Sequence, residues 1–371
     1  MSQPLNLPRW IDIGLLPLWN LAIALLAAGL VVRGIGQDPL HAFAAMLQGA
    51  LGNVRGIGYT LYYTTSFIFT GLAVAVAFHG GLFNIGGEGQ ATLGGLGVAL
   101  TALAFPHLPA VVLLPLMVVA AALFGMAWAL VPAWLQAWRG SHIVITTIMF
   151  NFLGASLNVY LLVNWLRPVG DMAVESADFV DAAHVPALHE IAARFGVELP
   201  SSPLNLSFVL ALAACWFVWW FLWKSGAGYR LRAVGSAPRA AHYAGIAPRW
   251  QILAAMALSG ALAGLVGVNE IAGVQGKLTL DFVAGAGFTG IAVALMGRNH
   301  PVGIVLASLL FGVLYQGGAE VSFDIPDFSR EMVVTAQGLI VLFAGAMAMV
   351  SAPLFARLYA KFKAKKEAAH G

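Results

Sequence analysis

Glu88 is the first residue whose position demands chemistry. It stands in the stretch Gly80-Gly81-Leu82-Phe83-Asn84-Ile85-Gly86-Gly87-Glu88-Gly89-Gln90, between the apolar runs 57–79 and 91–105. A charged side chain near a bilayer centre costs about 3 kcal/mol or more on insertion scales. Five glycines among these eleven residues also make a continuous helix expensive, at about 1 kcal/mol for each glycine relative to alanine. Irregular backbone at such depth persists only where protein buries it or a watery cavity receives its polar groups. The stretch, with Asn84, Glu88 and Gln90, therefore reads as the lining of a path for a polar solute. A surface loop carrying a solvated glutamate is the alternative.

A second polar set lies in the apolar run 141–165. Thr147 and Asn151 are four residues apart and share one helix face. Such a pair bonds either a solute or a neighbouring helix, and interhelical bonding is the commoner use. Asn269-Glu270 falls near the end of another apolar run, where a polar rim is expected. Trp216, Trp219, Trp220 and Trp223 cluster as an interfacial aromatic belt does.

Enzymatic readings fail on spacing. His189-Glu190 has Ala193 where a zinc protease needs its second histidine. Ser259-Gly260 has Ala257 two residues before the serine and no partner histidine at membrane depth. There is no G-x-x-x-x-G-K-[ST] phosphate loop, since Gly276-Lys277 lacks both the first glycine and the following hydroxyl. The one cysteine, Cys215, excludes an intrachain disulfide. No metal or cofactor set emerges.

The elements that must position these residues are membrane helices. Of 371 residues, 60% are hydrophobic and 9% charged, against about 25% charged in globular domains. The expected fold is all-α and polytopic, a single permease-like unit over 1–371, with lipid around it. Spans are expected at 14–32, 57–79, 88–105, 110–132, 141–165, 206–223, 251–272, 282–296, 302–317 and 332–351, the length criterion being about 17–25 residues. The run 14–32 is too long for a removable leader and reads as a retained first span. Arginine and lysine concentrate in the segments that ten crossings place inside, which puts both termini in the cytoplasm. Acids gather instead in the segment 166–205, read as an extracytoplasmic loop with one short helix near 186–195. The basic tail 352–371 carries Lys361, Lys363, Lys365 and Lys366; it follows a span, and nucleic-acid binding is not expected.

Five spans in each half would make the second half enter the membrane inverted. Transporters built this way place their sites at paired interruptions in corresponding segments. The third span opens in the Gly86–Gln90 break; the eighth follows 273–280 and contains Gly285, Gly287 and Gly290. Glycine placement thus suggests a 5+5 inverted repeat with broken helices at its centre.

The inside loop 224–250 is expected to hold a two-turn helix over 237–244, with Ser236 capping it, Pro238 in its first turn and Gly245 ending it. Its alanines Ala237, Ala240, Ala241 and Ala244 would let a partner approach closely. An ordinary basic loop is the alternative.

Four stretches carry a family likeness. Leu231-Arg232-Ala233-Val234-Gly235, followed by Ala240-Ala241-His242-Tyr243-Ala244-Gly245-Ile246, resembles the coupling loop of the ABC-importer permeases that serve branched-chain amino acids, ribose and nucleosides. Phe83-Asn84-Ile85-Gly86-Gly87-Glu88-Gly89-Gln90 resembles the signature of the nucleoside (BmpA-linked, "simple sugar") branch. Ile145-Thr146-Thr147-Ile148-Met149-Phe150-Asn151 and the run from Gly287 through Gly297-Arg298-Asn299-His300-Pro301 match in the same order. Ala237 departs from the asparagine common at its place.

This resemblance implies a transmembrane subunit in a bacterial cytoplasmic (inner) membrane. It would pair with a second, homologous permease as a heterodimer. Separate cytoplasmic ATPases would use the ATP, and an extracytoplasmic binding protein would deliver a nucleoside or related sugar-bearing solute. It further implies that Arg232, Gly235, Pro238, Ala240, Ala241, Tyr243 and Gly245 meet the ATPase, and that Asn84 and Glu88 lie beside the path. A ribose or branched-chain amino acid permease is the alternative within the class. A proton- or ion-coupled carrier using Glu88 is the alternative outside it.

Overall fold

The computed structural model of the chain describes residues 15–34 and 36–324, with scattered positions on either side. Thirteen α-helices are described: α1 (Leu16–Gly34), α2 (Pro39–Leu51), α3 (Val54–His79), α4 (Gly87–Ala104), α5 (Ala110–Trp134), α6 (Ile143–Leu161), α7 (Leu188–Arg194), α8 (Ser207–Lys224), α9 (Gly226–Ser236), α10 (Pro238–Tyr243), α11 (Pro248–Gly264), α12 (Ala286–Met296) and α13 (Pro301–Asp324). Wider π-type turns prolong α5 to Arg139 and α6 to Leu166, and a π-helix over Val268–Gln275 follows α11. Among the described residues there is no sheet, only one isolated bridge between Ala187 and Asn205.

Six described helices are long and apolar enough to cross a membrane: Val54–His79, Ala110–Arg139, Ile143–Leu166, Ser207–Lys224, Pro248–Gln275 and Pro301–Ser322. A bent pair, Ala22–Gly34 with Pro39–Leu51 at 117°, raises the number to seven if it is one span. The chain is therefore an all-helical, multi-pass membrane protein. The expected last span, 332–351, and the basic tail lie outside the described residues.

The sequence did not lead to α2. His41 and Gln48 dilute its apolarity, yet Ala42, Met46 and Ala50 bury one face at a spacing of four. The short helix expected in the 166–205 loop is α7. The cap of α10 differs from expectation: α9 runs on through Ser236, whose hydroxyl donates back to the Arg232 carbonyl at 2.9 Å. A hydroxyl used inside one helix is lost to the next. Ala237 takes the cap position without a side-chain bond, and Pro238 and Gly245 (φ +81°) then start and stop α10.

Packing divides the chain into residues 51–313 and a second unit of 1–50 with 314–371. Within the second unit, Gly317 lies so close to α2 that an added Cβ would sit 2.4 Å from the Met46 carbonyl oxygen. Within the first, α3 is the central shaft. Its apolar window is 83% buried, whereas that of Ala110–Arg139 is 22% buried, so α5 leaves most of its apolar surface outside the packed core. Helices in lipid gain little from apolarity and associate through close backbone approach. Gly94 of α4 supplies it: a Cβ there would lie 2.2 Å from the Gly264 oxygen of α11.

Candidate functional site

α3 ends at His79, Gly81 turns at φ +74°, and the chain runs without helix to Gly87, where α4 begins. The glycine-rich stretch is thus a break, with its polar side chains directed inward. Asn84 is fully buried. Its Nδ2 donates to Gln90 Oε1 at 2.9 Å and to Ser259 Oγ at 2.8 Å, while its Oδ1 accepts from the Gly86 amide at 2.8 Å. Ser259 passes its own proton to the Ala73 carbonyl at 2.6 Å. Asn84, Gln90 and Ser259 therefore form a closed knot that ties α3, the break and α11 together.

The shared face of Thr147 and Asn151 on α6 grips the same break from the other side. Asn151 Nδ2 donates to the Ile85 carbonyl at 2.9 Å, and its Oδ1 accepts from the Gly89 amide at 2.9 Å. Thr147 Oγ1 accepts from the Ile85 amide at 3.4 Å. Both side chains satisfy backbone groups that the missing helix turn would have paired.

A second break follows the π-helix. Gly276 (φ +65°) closes it, and the chain reaches α12 through left-handed residues at Asp281 (φ 51°), Ala284 (φ 48°) and Gly285 (φ +82°). Left-handed geometry costs a residue with a Cβ about 1–2 kcal/mol, so Asp281 and Ala284, three positions apart, both need compensation.

Glu88 supplies it. Its Oε1 accepts from the Gly285 amide and its Oε2 from the Gly287 amide, each at 2.8 Å. The glutamate in the first turn of α4 thus caps α12, across 197 residues of sequence. The two helix starts are in backbone contact, since a Cβ on Gly287 would lie 2.2 Å from the Glu88 nitrogen. Two helix N-termini each carry about half a positive charge and would repel at that distance. One carboxylate between them offsets both and fills two orphan amides.

Beside this junction lies a cavity of about 180 Å³. Glu88, Thr92, Asn151, Asn158 and Asp281 supply its polar lining, with Phe282 among the apolar residues. Of the residues singled out in the sequence, Glu88 and Asn151 line it; Asn84, Gln90 and Thr147 stand behind it.

A second polar cluster gathers around the Asn269-Glu270 pair on the π-helix. Glu270 is buried rather than at a rim. It accepts from the Tyr62 hydroxyl and, at 2.7 Å, from Ser66 Oγ. Asn269 Nδ2 donates to Ser66 Oγ at 2.9 Å, and Asn205 Nδ2 to Asn269 Oδ1 at 3.1 Å. Tyr62 and Ser66 share an α3 face at a spacing of four, the one signal that pointed here.

The proposed coupling residues occupy α9, α10 and the turn after them. Gly235 presses on the first break, and a Cβ there would lie 2.2 Å from the His79 carbonyl oxygen. Arg232 is half-buried, Ala241 is buried, and Pro238, Ala240, Tyr243 and Gly245 are exposed. α10 therefore anchors through Ala241 and presents its other face outward.

Residues 56–350 match the family described as "Branched-chain amino acid transport system / permease component". The chain is 36% identical over 341 residues to the glucose ABC transporter permease protein of Haloferax volcanii, covering 91% of this chain and 88% of the relative. It is 35% identical over 337 residues to the guanosine ABC transporter permease protein NupP of Bacillus subtilis (89% and 92%). It is 32% identical over 318 residues to the nucleoside ABC transporter permease protein NupB of Lactococcus lactis (84% and 85%). The last two organisms each have a second permease protein, described as for the same solute, that also matches. No solved structure matches. With a family match that spans most of its length and a pair of broken helices fastened around a half-buried acid, the chain belongs to the branched-chain amino acid transport system permease family and is the membrane permease subunit of an ABC importer, without an ATPase site of its own.

Proposed function

We propose that the chain carries a nucleoside or a related sugar-bearing solute inward across the cytoplasmic membrane, through the junction of the two breaks. The observation that carries this reading is the Glu88 bridge to Gly285 and Gly287 beside a polar cavity. Guanosine, nucleosides and glucose are the solutes in the relatives' names, and all bear neighbouring hydroxyls. Ten spans in a 5+5 inverted arrangement fit this geometry. The third and eighth spans would then be α4 and α12, each opening from a glycine-rich break and meeting start to start.

The working complex is read as a heterodimer with a second homologous permease, both termini inside. Cytoplasmic ATPases would engage α10, and an extracytoplasmic binding protein would approach the 166–205 loop. That loop is fastened to the second break: the Ser176 amide donates to the Leu278 carbonyl at 2.9 Å, and Lys277 pairs with Glu175 at 2.7 Å. A binding protein pressing on the loop would thereby pull on the segment that leads to Glu88's partners. ATP-driven closure of the ATPases would reach the first break from the other side, through Gly235.

The test is uptake of radiolabelled nucleosides and sugars into vesicles holding the full complex. Uptake is expected to follow enclosed ATP and to survive an uncoupler that collapses the proton gradient. Uptake that follows the gradient and ignores ATP would replace this reading with that of a proton-coupled carrier.

A further inference from the structure

A groove of about 260 Å³ lies where α8 ends and α13 begins. Cys215, Trp216 and Trp219 form one wall, and Pro301, Val302 and Val305 form the other. On each helix the three residues cover a single turn. The indoles stand out from α8 while the proline and the valines are short, and that difference in reach leaves the groove. It opens outward, since Trp216 is 65% and Val302 63% exposed. No lining residue is charged. In a bilayer such a groove fills with hydrocarbon, because an unfilled one forfeits the dispersion contacts of its walls.

The end of the bundle at which the groove lies is cationic. Lys224 closes α8 with its Nζ 5.6 Å from the centroid of the Trp219 ring, within cation–π range. It is exposed and has no carboxylate partner among the described residues. His300 directly precedes the groove wall, its ring 5.1 Å from that of Trp223. That contact brings 297–300 beside the end of α8, and the Trp138–Trp250 contact at 5.7 Å joins 135–142 to 224–250. These three segments together hold seven lysines and arginines and no aspartate or glutamate. The countercharge must therefore come from outside this part of the chain. An acidic protein surface would answer the charge without filling the groove. A neutral lipid would fill the groove without answering the charge.

We propose that the groove seats an acyl chain of an anionic phospholipid, whose phosphate-bearing headgroup pairs with Lys224. At about 260 Å³ the groove falls below the roughly 300 Å³ or more of a site for a whole drug-sized ligand. It therefore holds part of one chain, and the rest of the lipid stays in the bilayer. Trp219 stands between groove and lysine and marks where tail gives way to headgroup, as interfacial aromatics do. The cytoplasmic leaflet is the one with a negative surface potential, which agrees with the orientation proposed above. The inference does not depend on which solute is carried or on the route it takes.

The experiment places the full complex in phosphatidylcholine vesicles doped with a photoactivatable lipid. The probe is either phosphatidylglycerol or phosphatidylcholine, each with the same diazirine-bearing acyl chain. After illumination, mass spectrometry locates the labelled residues. The phosphatidylglycerol probe is expected to label 215–219 and 301–305 about fivefold more heavily than the phosphatidylcholine probe, the worth of one lysine beside a charged leaflet. Lys224→Ala, a change at an exposed helix end, should remove that preference, and Lys224→Arg should keep it. Val302→Trp, which fills the groove, should reduce labelling by both probes. Equal labelling by the two probes would overturn the proposal, as would a preference that survives in Lys224→Ala. Absence of label from both segments, as when the second permease covers the groove, would overturn it too.

Discussion

Glu88→Ala is expected to destabilise the protein by about 2–4 kcal/mol, because two part-buried amides at the start of α12 lose their acceptor at about 1–2 kcal/mol each and two helix N-termini are left facing one another. Glu88→Gln keeps one oxygen but turns an amide N–H toward the second donor, so about 1–3 kcal/mol is expected there. Glu88→Asp keeps the charge but is one methylene shorter, and cannot reach both the Gly285 and Gly287 amides from its place in α4. The order of stability predicted for the purified permease is wild type, then Gln, then Ala, read as the midpoint of thermal unfolding in detergent. Solute uptake should fall by at least tenfold in all three. Equal melting of the wild type and Glu88→Ala would mean that the carboxylate does not join the two breaks.

The second large effect is expected at Gly235. A Cβ there would meet the His79 oxygen at 2.2 Å, the Gly81 nitrogen at 2.8 Å and the Gly80 carbonyl carbon at 2.9 Å. All three atoms are backbone, so no rotamer change relieves the clash, and overpacking of this kind costs about 1–3 kcal/mol. Gly235→Val should push α9 away from the end of α3 and cut the rigid link from α10 to the first break. Solute-stimulated ATP hydrolysis by the reconstituted complex is expected to fall at least tenfold, with basal hydrolysis and the amount of permease in the membrane unchanged. Retained stimulation would show that motion reaches the break by another route. Tyr243→Ala, on the exposed face of α10, should instead weaken binding of the ATPase itself.

Composition made the helices legible, because apolar runs long enough to span lipid leave few other folds. The first break was equally legible, since five glycines and an acid in one stretch are costly in any other setting. What the sequence withheld was partnership. Glu88 could be placed in the interior by cost alone, yet its partners are backbone amides nearly two hundred residues away, and amides leave no signature in residue types. Asn84 and Gln90 were read as lining because they are polar and near Glu88. In the segment after Gly81 no helical period says which way a side chain points; Asn84 turns toward Ser259, and Gln90, already in α4, turns toward Asn84. Asn158 went unremarked because one asparagine in a helix is ordinary until the cavity is seen beside it. Glu270 was assigned to a rim by its distance along the span; the wider turn of the π-helix and the Tyr62–Ser66 face draw it inside.

The account stands on the junction of the two breaks being wet and open to solute. Cys215 is the only cysteine, so Cys215→Ala gives a background without thiols, and Thr92→Cys then puts one thiol in the wall of the cavity. The decisive measurement is its labelling by a charged, membrane-impermeant maleimide in the reconstituted complex, with and without the transported solute. The account predicts rapid labelling in at least one nucleotide state and clear protection by solute. A thiol that reacts only with lipid-soluble reagents, at a rate indifferent to solute, would contradict it.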